Sequence, residues 1–171
     1  MSTPSYEQHQ STAAGISARC AVITLSDTRT EATDKSGQKI RELLGGAGHS
    51  IAHYQIAKDD PAALTPLLQS LLTRAEVDVI LTNGGTGIAR RDQTIQVIER
   101  SIDRPLPGFG ELFRMLSWQQ IGSGAMLSRA AGGIAQGKLL FAMPGSTAAV
   151  ELAMTKLILP ELRHLLHELR K

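Results

Sequence analysis

The run Val77-Asp78-Val79-Ile80-Leu81-Thr82-Asn83-Gly84-Gly85-Thr86-Gly87 decides how this chain folds. Its first half is short, apolar and β-branched, which suits a strand buried on both faces. Its second half is a glycine loop whose backbone can take positive φ and approach an anion closely. Two other stretches have the same form. Cys20-Ala21-Val22-Ile23-Thr24-Leu25 runs into Ser26-Asp27-Thr28-Arg29, and Leu139-Leu140-Phe141-Ala142-Met143 runs into Pro144-Gly145.

Helical patterns fall between these strands. Ile40, Leu43, Leu44 and Ala47 share one face of a helix expected over 36–47, with Gly48 as its stop. Residues 51–56 alternate weakly and suit an outer strand. Asp60 and Pro61 open a second helix through Leu64, Leu67, Leu68, Leu71 and Leu72, with Asp60 as its N-cap. Residues 94–101 read as a short helix, 105–110 as a loop, and 111–116 as a helical turn or two. A long terminal helix starts near Ser146 and is expected to bend at Pro160. Strands alternating with helices indicate an α/β fold with a mostly parallel sheet.

The 171 residues predict one domain over 19–171, preceded by a polar tail, 1–18, expected to be disordered. That tail has the pattern of neither a secretory signal nor a membrane anchor. No later run reaches the length of about 18 apolar residues that spans a bilayer, so a cytoplasmic protein without a membrane partner is expected. With 42% hydrophobic and 20% charged residues, the composition suits a globular protein with a full core. One Trp, two Tyr and three Phe argue against a surface that stacks nucleic-acid bases. A net charge of +2 makes no electrostatic case for nucleic acid either. Cys20 is alone, which excludes an intrachain disulfide. The five histidines show no metal-binding spacing.

Parallel sheets place ligands at the carboxyl ends of their strands. Here those ends carry Ser26-Asp27, Gly84-Gly85-Thr86-Gly87 and Pro144-Gly145-Ser146. The glycine loop is followed by no Lys-Ser/Thr, so it is no P-loop, and it lacks the third glycine of a dinucleotide fingerprint. Arg90 and Arg91 beside it suit a phosphate site. Asp92 reads either as the N-cap of the helix carrying Ile95 and Ile98, or as a carboxylate that holds Mg²⁺ or orients a reacting group. Asp60 is occupied as a cap, which leaves Asp59 as the better candidate for chemistry. Ser128-Arg129, between apolar runs, suits a ligand or a neighbouring subunit. The terminal helix carries Leu157, Ile158, Leu162, Leu165, Leu166 and Leu169 in a broad apolar stripe, which suits the sheet and, in its last turns, a subunit contact.

Five motifs then occur in a fixed order: Thr82-Asn83-Gly84-Gly85-Thr86-Gly87, Arg91-Asp92-Gln93-Thr94, Pro107-Gly108-Phe109-Gly110-Glu111, Ser128-Arg129 and Met143-Pro144-Gly145-Ser146. This order resembles the MoaB/MogA family of molybdenum cofactor biosynthesis, from about Arg19 to the end of the chain. The stretch from Pro107 to Ser117 looks more like the MoaB branch. The resemblance implies a three-layer α/β/α sandwich that assembles as a homo-oligomer, with a hexamer favoured over a trimer. It implies molybdopterin as ligand and ATP with Mg²⁺ as co-substrate. In catalytic members the terminal phosphate of molybdopterin is adenylylated and pyrophosphate leaves. The two aspartates required there match Asp59 and Asp92, which would also hold Mg²⁺. Ser26, Asp27, Gly84, Gly85, Thr86, Gly87, Arg91, Ser128, Arg129, Gly145 and Ser146 match the substrate and nucleotide pocket. Other molybdenum cofactor biosynthesis proteins are the implied partners. The chain departs from the family's pattern at Asn83, where Thr or Gly is common, and at Ser146, where MogA has Gln. Two alternatives stand beside the enzyme: a non-catalytic molybdopterin-binding paralogue and a dinucleotide-dependent oxidoreductase.

Overall fold

A computed structural model describes residues 13, 15–89 and 92–171. The apolar runs form β1 (Arg19–Leu25), β3 (Val79–Asn83) and β6 (Lys138–Met143), and the weakly alternating stretch forms β2 (Ser50–Ala57). These four strands are parallel and adjacent, in the order β2-β1-β3-β6. Two strands that the sequence reading missed, β5 (Ala131–Ala135) and β4 (Arg104–Pro105), complete the six-stranded sheet β2-β1-β3-β6-β5-β4. β5 runs antiparallel to β6, and β4 antiparallel to β5. Glycine weakens a strand signal, and β5 holds Gly132 and Gly133. A Cβ on Gly132 would stand 2.6 Å from the Phe141 ring, and one on Gly133 would stand 2.4 Å from Ile102. Close packing across the sheet therefore demands the residues that hide the strand.

Alternation along the strands divides the core into two layers. Cys20, Val22, Val79, Leu81, Leu139 and Phe141 face α1 (Lys35–Gly46), α4 (Pro107–Ile121) and the C-terminal helix. Ala21, Ile23, Leu25, Ile80, Leu140 and Ala142 face α2 (Pro61–Thr73) and α3 (Thr94–Ser101). Helices thus cover both faces, which is the three-layer α/β/α arrangement. Asp60 caps α2 by accepting from the Ala62 N–H at 3.1 Å, as its position before Pro61 predicts.

Two helices depart from expectation. α4 begins at Pro107, inside the stretch read as a loop, because proline is well suited to a first helical turn while the adjacent glycines mask it. The terminal helix does not simply bend at Pro160. α5 (Thr147–Ala153) passes through a π turn at Met154–Ile158 into α6 (Leu159–Leu169). Proline cannot supply an N–H to the preceding turn, and the wider turn just ahead of it accommodates that gap.

Most of the tail lies outside the described residues. Of the remainder, Ile16 packs on the core and Ala18 is buried, so packing begins upstream of Arg19. The Ala18 N–H donates to His49 Nδ1 at 3.0 Å, and Arg163 donates to the carbonyls of Ile16 and Ala47. Among the described residues, no helix is long and apolar enough to cross a membrane.

Candidate functional site

The carboxyl ends of β2, β1, β3 and β6 emerge along one edge of the sheet. β1 pairs with β2 on one side and β3 on the other. The connections therefore diverge between β1 and β3, and such a switch point opens a crevice. The glycine loop leaves β3 at that crevice. Its first amide, Gly84 N–H, donates to the Met143 carbonyl at 3.1 Å and ties the loop to the end of β6.

Each loop glycine meets a different element. Gly84 has φ +93°, and a Cβ there would lie 2.3 Å from the Leu25 carbonyl oxygen. Gly85 has φ +66°, and its Cβ would lie 2.2 Å from Thr94 Oγ1 and 2.9 Å from Asp59 Oδ1. At Gly87 a Cβ would lie 2.2 Å from Asp92 Oδ2. The loop runs past β1, then Asp59, then Asp92, with side chains excluded at each step.

Both candidate carboxylates are thus at the loop. Asp59 Oδ1 accepts from the Thr94 hydroxyl at 2.5 Å, and the Asp59 N–H donates to Asp27 Oδ1 at 3.3 Å. Asp92 is not the cap of α3. That position belongs to Gln93, which makes no side-chain cap bond, while Asp92 Oδ2 accepts from the Ala89 N–H at 2.8 Å. The Asp92 carboxylate instead folds back on the loop. Two carboxylates beside a glycine loop suit Mg²⁺, which takes one or two protein carboxylates and fills its other positions with water and phosphate oxygens. No group of three or more metal-ligating side chains occurs among the described residues.

The remaining expected site residues divide by what they touch. Arg129 Nε donates to the Thr86 carbonyl at 3.0 Å, and its Nη2 donates to the carbonyls of Gly87 and Asp92. It therefore clamps the loop from outside. Ser26 Oγ accepts from the N–H groups of Thr28 and Arg29, shaping the turn after β1. Gly145 abuts Gly84, where a Cβ would stand 3.1 Å from its Cα. Ser146 caps α5 by accepting from the Ala149 N–H at 3.2 Å. Ser128 N–H donates to the Ala125 carbonyl, closing the 3-10 turn of Gly122–Leu127. Arg90 and Arg91 lie outside the described residues.

Beneath the crevice lies a polar network that the sequence reading did not find. Asp34, fully buried, accepts from the hydroxyls of Thr24 at 2.6 Å and Tyr54 at 2.8 Å, from Ser36 at 3.1 Å, and from the Gly37 N–H at 3.0 Å. Burial pushes its carboxyl up, but these hydrogen bonds together outweigh burial and hold it below the usual carboxylate range. Burial first, and the Asp34 carboxylate second, push the Tyr54 hydroxyl up to about 12. Asn83 joins the network, donating to Thr24 Oγ1 at 2.9 Å, while its Oδ1 lies 2.7 Å from Ser36 Oγ and competes with Asp34 for that hydroxyl's one proton. Arg29 crosses it. Its Nη1 donates to Asp34 Oδ1 at 3.4 Å and to Ser36, and its Nη2 donates to the Gly145 carbonyl at 2.9 Å. The available signal was Asp34-Lys35-Ser36-Gly37, an acidic N-cap ahead of a helix.

Comparison with known proteins agrees with this architecture. Residues 21–164 match the family described as "Probable molybdopterin binding domain". The Molybdenum cofactor biosynthesis protein B of Halalkalibacterium halodurans is 52% identical over 168 residues, covering 98% of each chain. A crystal structure of Molybdenum cofactor biosynthesis protein B superposes with a TM-score of 0.88 at 53% identity, over 91% of this chain and 97% of that one. The tungsten cofactor synthesizing protein MoaB from Pyrococcus furiosus superposes with a TM-score of 0.77 at 36% identity, over 91% of this chain and 98% of that one.

Proposed function

From the premise that this chain belongs to the molybdopterin-binding family of molybdenum cofactor biosynthesis, we propose that it adenylylates the terminal phosphate of molybdopterin with Mg-ATP. One observation carries the reading: the loop glycines Gly85 and Gly87 leave space that the carboxylates of Asp59 and Asp92 occupy. The loop proposed to cradle phosphate and the carboxylates proposed to hold Mg²⁺ pack directly against one another.

The step needs little covalent help from the protein. A phosphate oxygen of molybdopterin, already anionic, attacks the α-phosphorus of ATP. A new P–O bond forms, the bond from the α-phosphorus to the bridging oxygen breaks, and pyrophosphate leaves with the electron pair. The obstacle is repulsion between two anions, which positioning and fixed positive groups relieve. Mg²⁺ bound with ATP would supply the charge that neutralises its phosphates. Asp59 and Asp92 are the residues suited to hold that ion, the loop N–H groups to meet phosphate oxygens, and Thr94 and Arg129 to keep carboxylate and loop in place.

Self-association belongs to the same proposal. Leu112, Met115, Trp118 and Ile121 on α4, with Met126 and Leu127 just after it, are exposed apolar residues on neighbouring segments. Such a patch suits contact with further copies of the chain, and the preference for a hexamer over a trimer comes from the family resemblance alone. The terminal helix is less suited, because Ile158, Leu162 and Leu166 are buried against the sheet. Family membership displaces the dinucleotide-dependent oxidoreductase alternative.

The test is pyrophosphate release by the purified chain with molybdopterin and Mg-ATP. Release is expected, with loss in both Asp59→Asn and Asp92→Asn. Full release by both variants overturns the roles given to these residues. Retention of molybdopterin without any release identifies the non-catalytic binding paralogue instead.

A further inference from the structure

We propose that Arg29 receives the terminal phosphate of molybdopterin, on the flank of the glycine loop opposite Asp59 and Asp92. The inference rests on the molybdopterin reading above and assigns it a residue that lies outside the family motifs.

The loop has two unlike sides. Its Gly84 end meets the turn after β6, where a Cβ on Gly145 would stand 3.1 Å from Gly84 Cα and 3.9 Å from Arg29 Nη1. Its Gly85 and Gly87 positions meet Thr94, Asp59 and Asp92. One side of the cradle therefore carries Arg29, and the other carries two carboxylates and Arg129, whose Nε and Nη2 are already taken by the carbonyls of Thr86, Gly87 and Asp92. Mg-ATP brings its own cation and is served by the carboxylates. The phosphate monoester of a pterin brings none and is repelled by them, so it requires a cation on the other side. In-line transfer also sets nucleophile and leaving group on opposite faces of the α-phosphorus, which two flanks of one loop provide.

Arg29 is built for that task. A guanidinium has five N–H donors. Nη1 is engaged by Asp34 and Ser36, and one Nη2 hydrogen by the Gly145 carbonyl. Nε and the other Nη2 hydrogen have no partner among the described residues, and the side chain is 30% exposed. Nε and Nη2 share one edge of the guanidinium, the edge that grips phosphate bidentately. Asp34 anchors the opposite edge while its charge is met by Thr24, Tyr54, Ser36 and the Gly37 N–H. The arginine is thus oriented before any ligand arrives, so little is lost in ordering it on binding.

The experiment measures binding of molybdopterin and of phosphatase-treated, dephosphorylated molybdopterin to the full chain by ultrafiltration. Wild type is expected to prefer the phosphorylated form by at least about tenfold, the scale of a charge-assisted hydrogen bond. Arg29→Met is expected to bind both forms alike, and Arg29→Lys to keep part of the preference, with Mg-ATP affinity shifting less than about twofold in either. Retention of the full phosphate preference by folded Arg29→Met overturns the inference and leaves the adenylylation reading standing. Loss of the preference in Arg29→Met, in a chain that releases no pyrophosphate, supports the inference and overturns adenylylation. Failure of wild type to bind either form overturns both.

Discussion

The Thr94 hydroxyl lies 2.5 Å from Asp59 Oδ1 and 3.0 Å from the Gly85 carbonyl oxygen, so one side chain joins α3, the turn after β2 and the glycine loop. Its single proton serves one of these acceptors at a time. Either way it fixes the carboxylate against the loop. Thr94→Val keeps the shape and removes that donor. Pyrophosphate release is expected to fall about tenfold or more, and stability by about 1–2 kcal/mol, the scale of a buried acceptor left unpaired. Thr94→Ser is expected to retain most of both. Kinetics and urea unfolding on the two variants check this.

Two neighbouring glycines should fail in different ways. At Gly84 an added methyl meets the Leu25 backbone and a positive φ of 93°, neither of which yields easily. Gly84→Ala is expected to lower Tm strongly. At Gly87 the methyl meets only the end of the Asp92 side chain, which can swing away. Gly87→Ala is expected to fold with a small change in Tm but lose adenylylation. Calorimetry beside the pyrophosphate assay separates the two outcomes.

His49 gives stability a pH dependence in the mildly acidic range. It is nearly buried, its Nδ1 accepts the Ala18 N–H, and burial, aided by Arg163, holds its pKa below the ordinary 6.5. The unfolded chain therefore takes up a proton as pH falls below 6.5 while the folded chain does not, and stability declines through that interval. Urea unfolding at pH 8 and at pH 5.5 should show a loss in wild type that His49→Gln lacks.

Asp78 acts lower on the scale. Hydrogen bonds from the Arg19 side chain pull its pKa to about 2 against the opposing pull of burial, with further help from the Arg19 N–H and Arg170. Its stabilisation is complete above 3.8, the ordinary value, and is lost as pH falls toward 2. Asp78→Asn is expected to unfold more readily at neutral pH and to flatten the acid limb of the unfolding curve.

Light scattering tests the apolar patch. Trp118 is 62% exposed on α4, and Trp118→Asp places a charge where a second copy would pack. Wild type is expected to run as an oligomer at micromolar concentration and the variant as a smaller species. A monomeric wild type overturns the assembly.

Much of this architecture was open to reading because β1, β3 and β6 are continuous apolar runs that end in chemically distinctive turns. β5 was not, since Gly132 and Gly133 deny it any strand signal while packing requires them. Asp59 and Asp92 could be singled out by neighbourhood, yet the N-cap reading of Asp92 failed because capping depends on backbone angles that spacing does not reveal. The Asp34 network was illegible for a different reason. Asn83 lies 59 residues from Thr24, and Gly145 lies 116 from Arg29, and only the folded sheet brings them together. Arg129 shows the converse. Its place between apolar runs suits a ligand or subunit contact, but its donation to three backbone carbonyls is not deducible from sequence.

The π turn ahead of Pro160 has a consequence for the whole C-terminal helix. Val150, Met154, Ile158, Leu162 and Leu166 are all buried, at a strict interval of four. An α-helix advances about 100° per residue, so each such step drifts by about 40° and the series would spiral away from the sheet. One wide turn in mid-course resets that phase. A single seam of contact therefore persists over the full helix, and deleting Thr155 would let the wide turn close to an ordinary α turn with the distal leucines still on the seam.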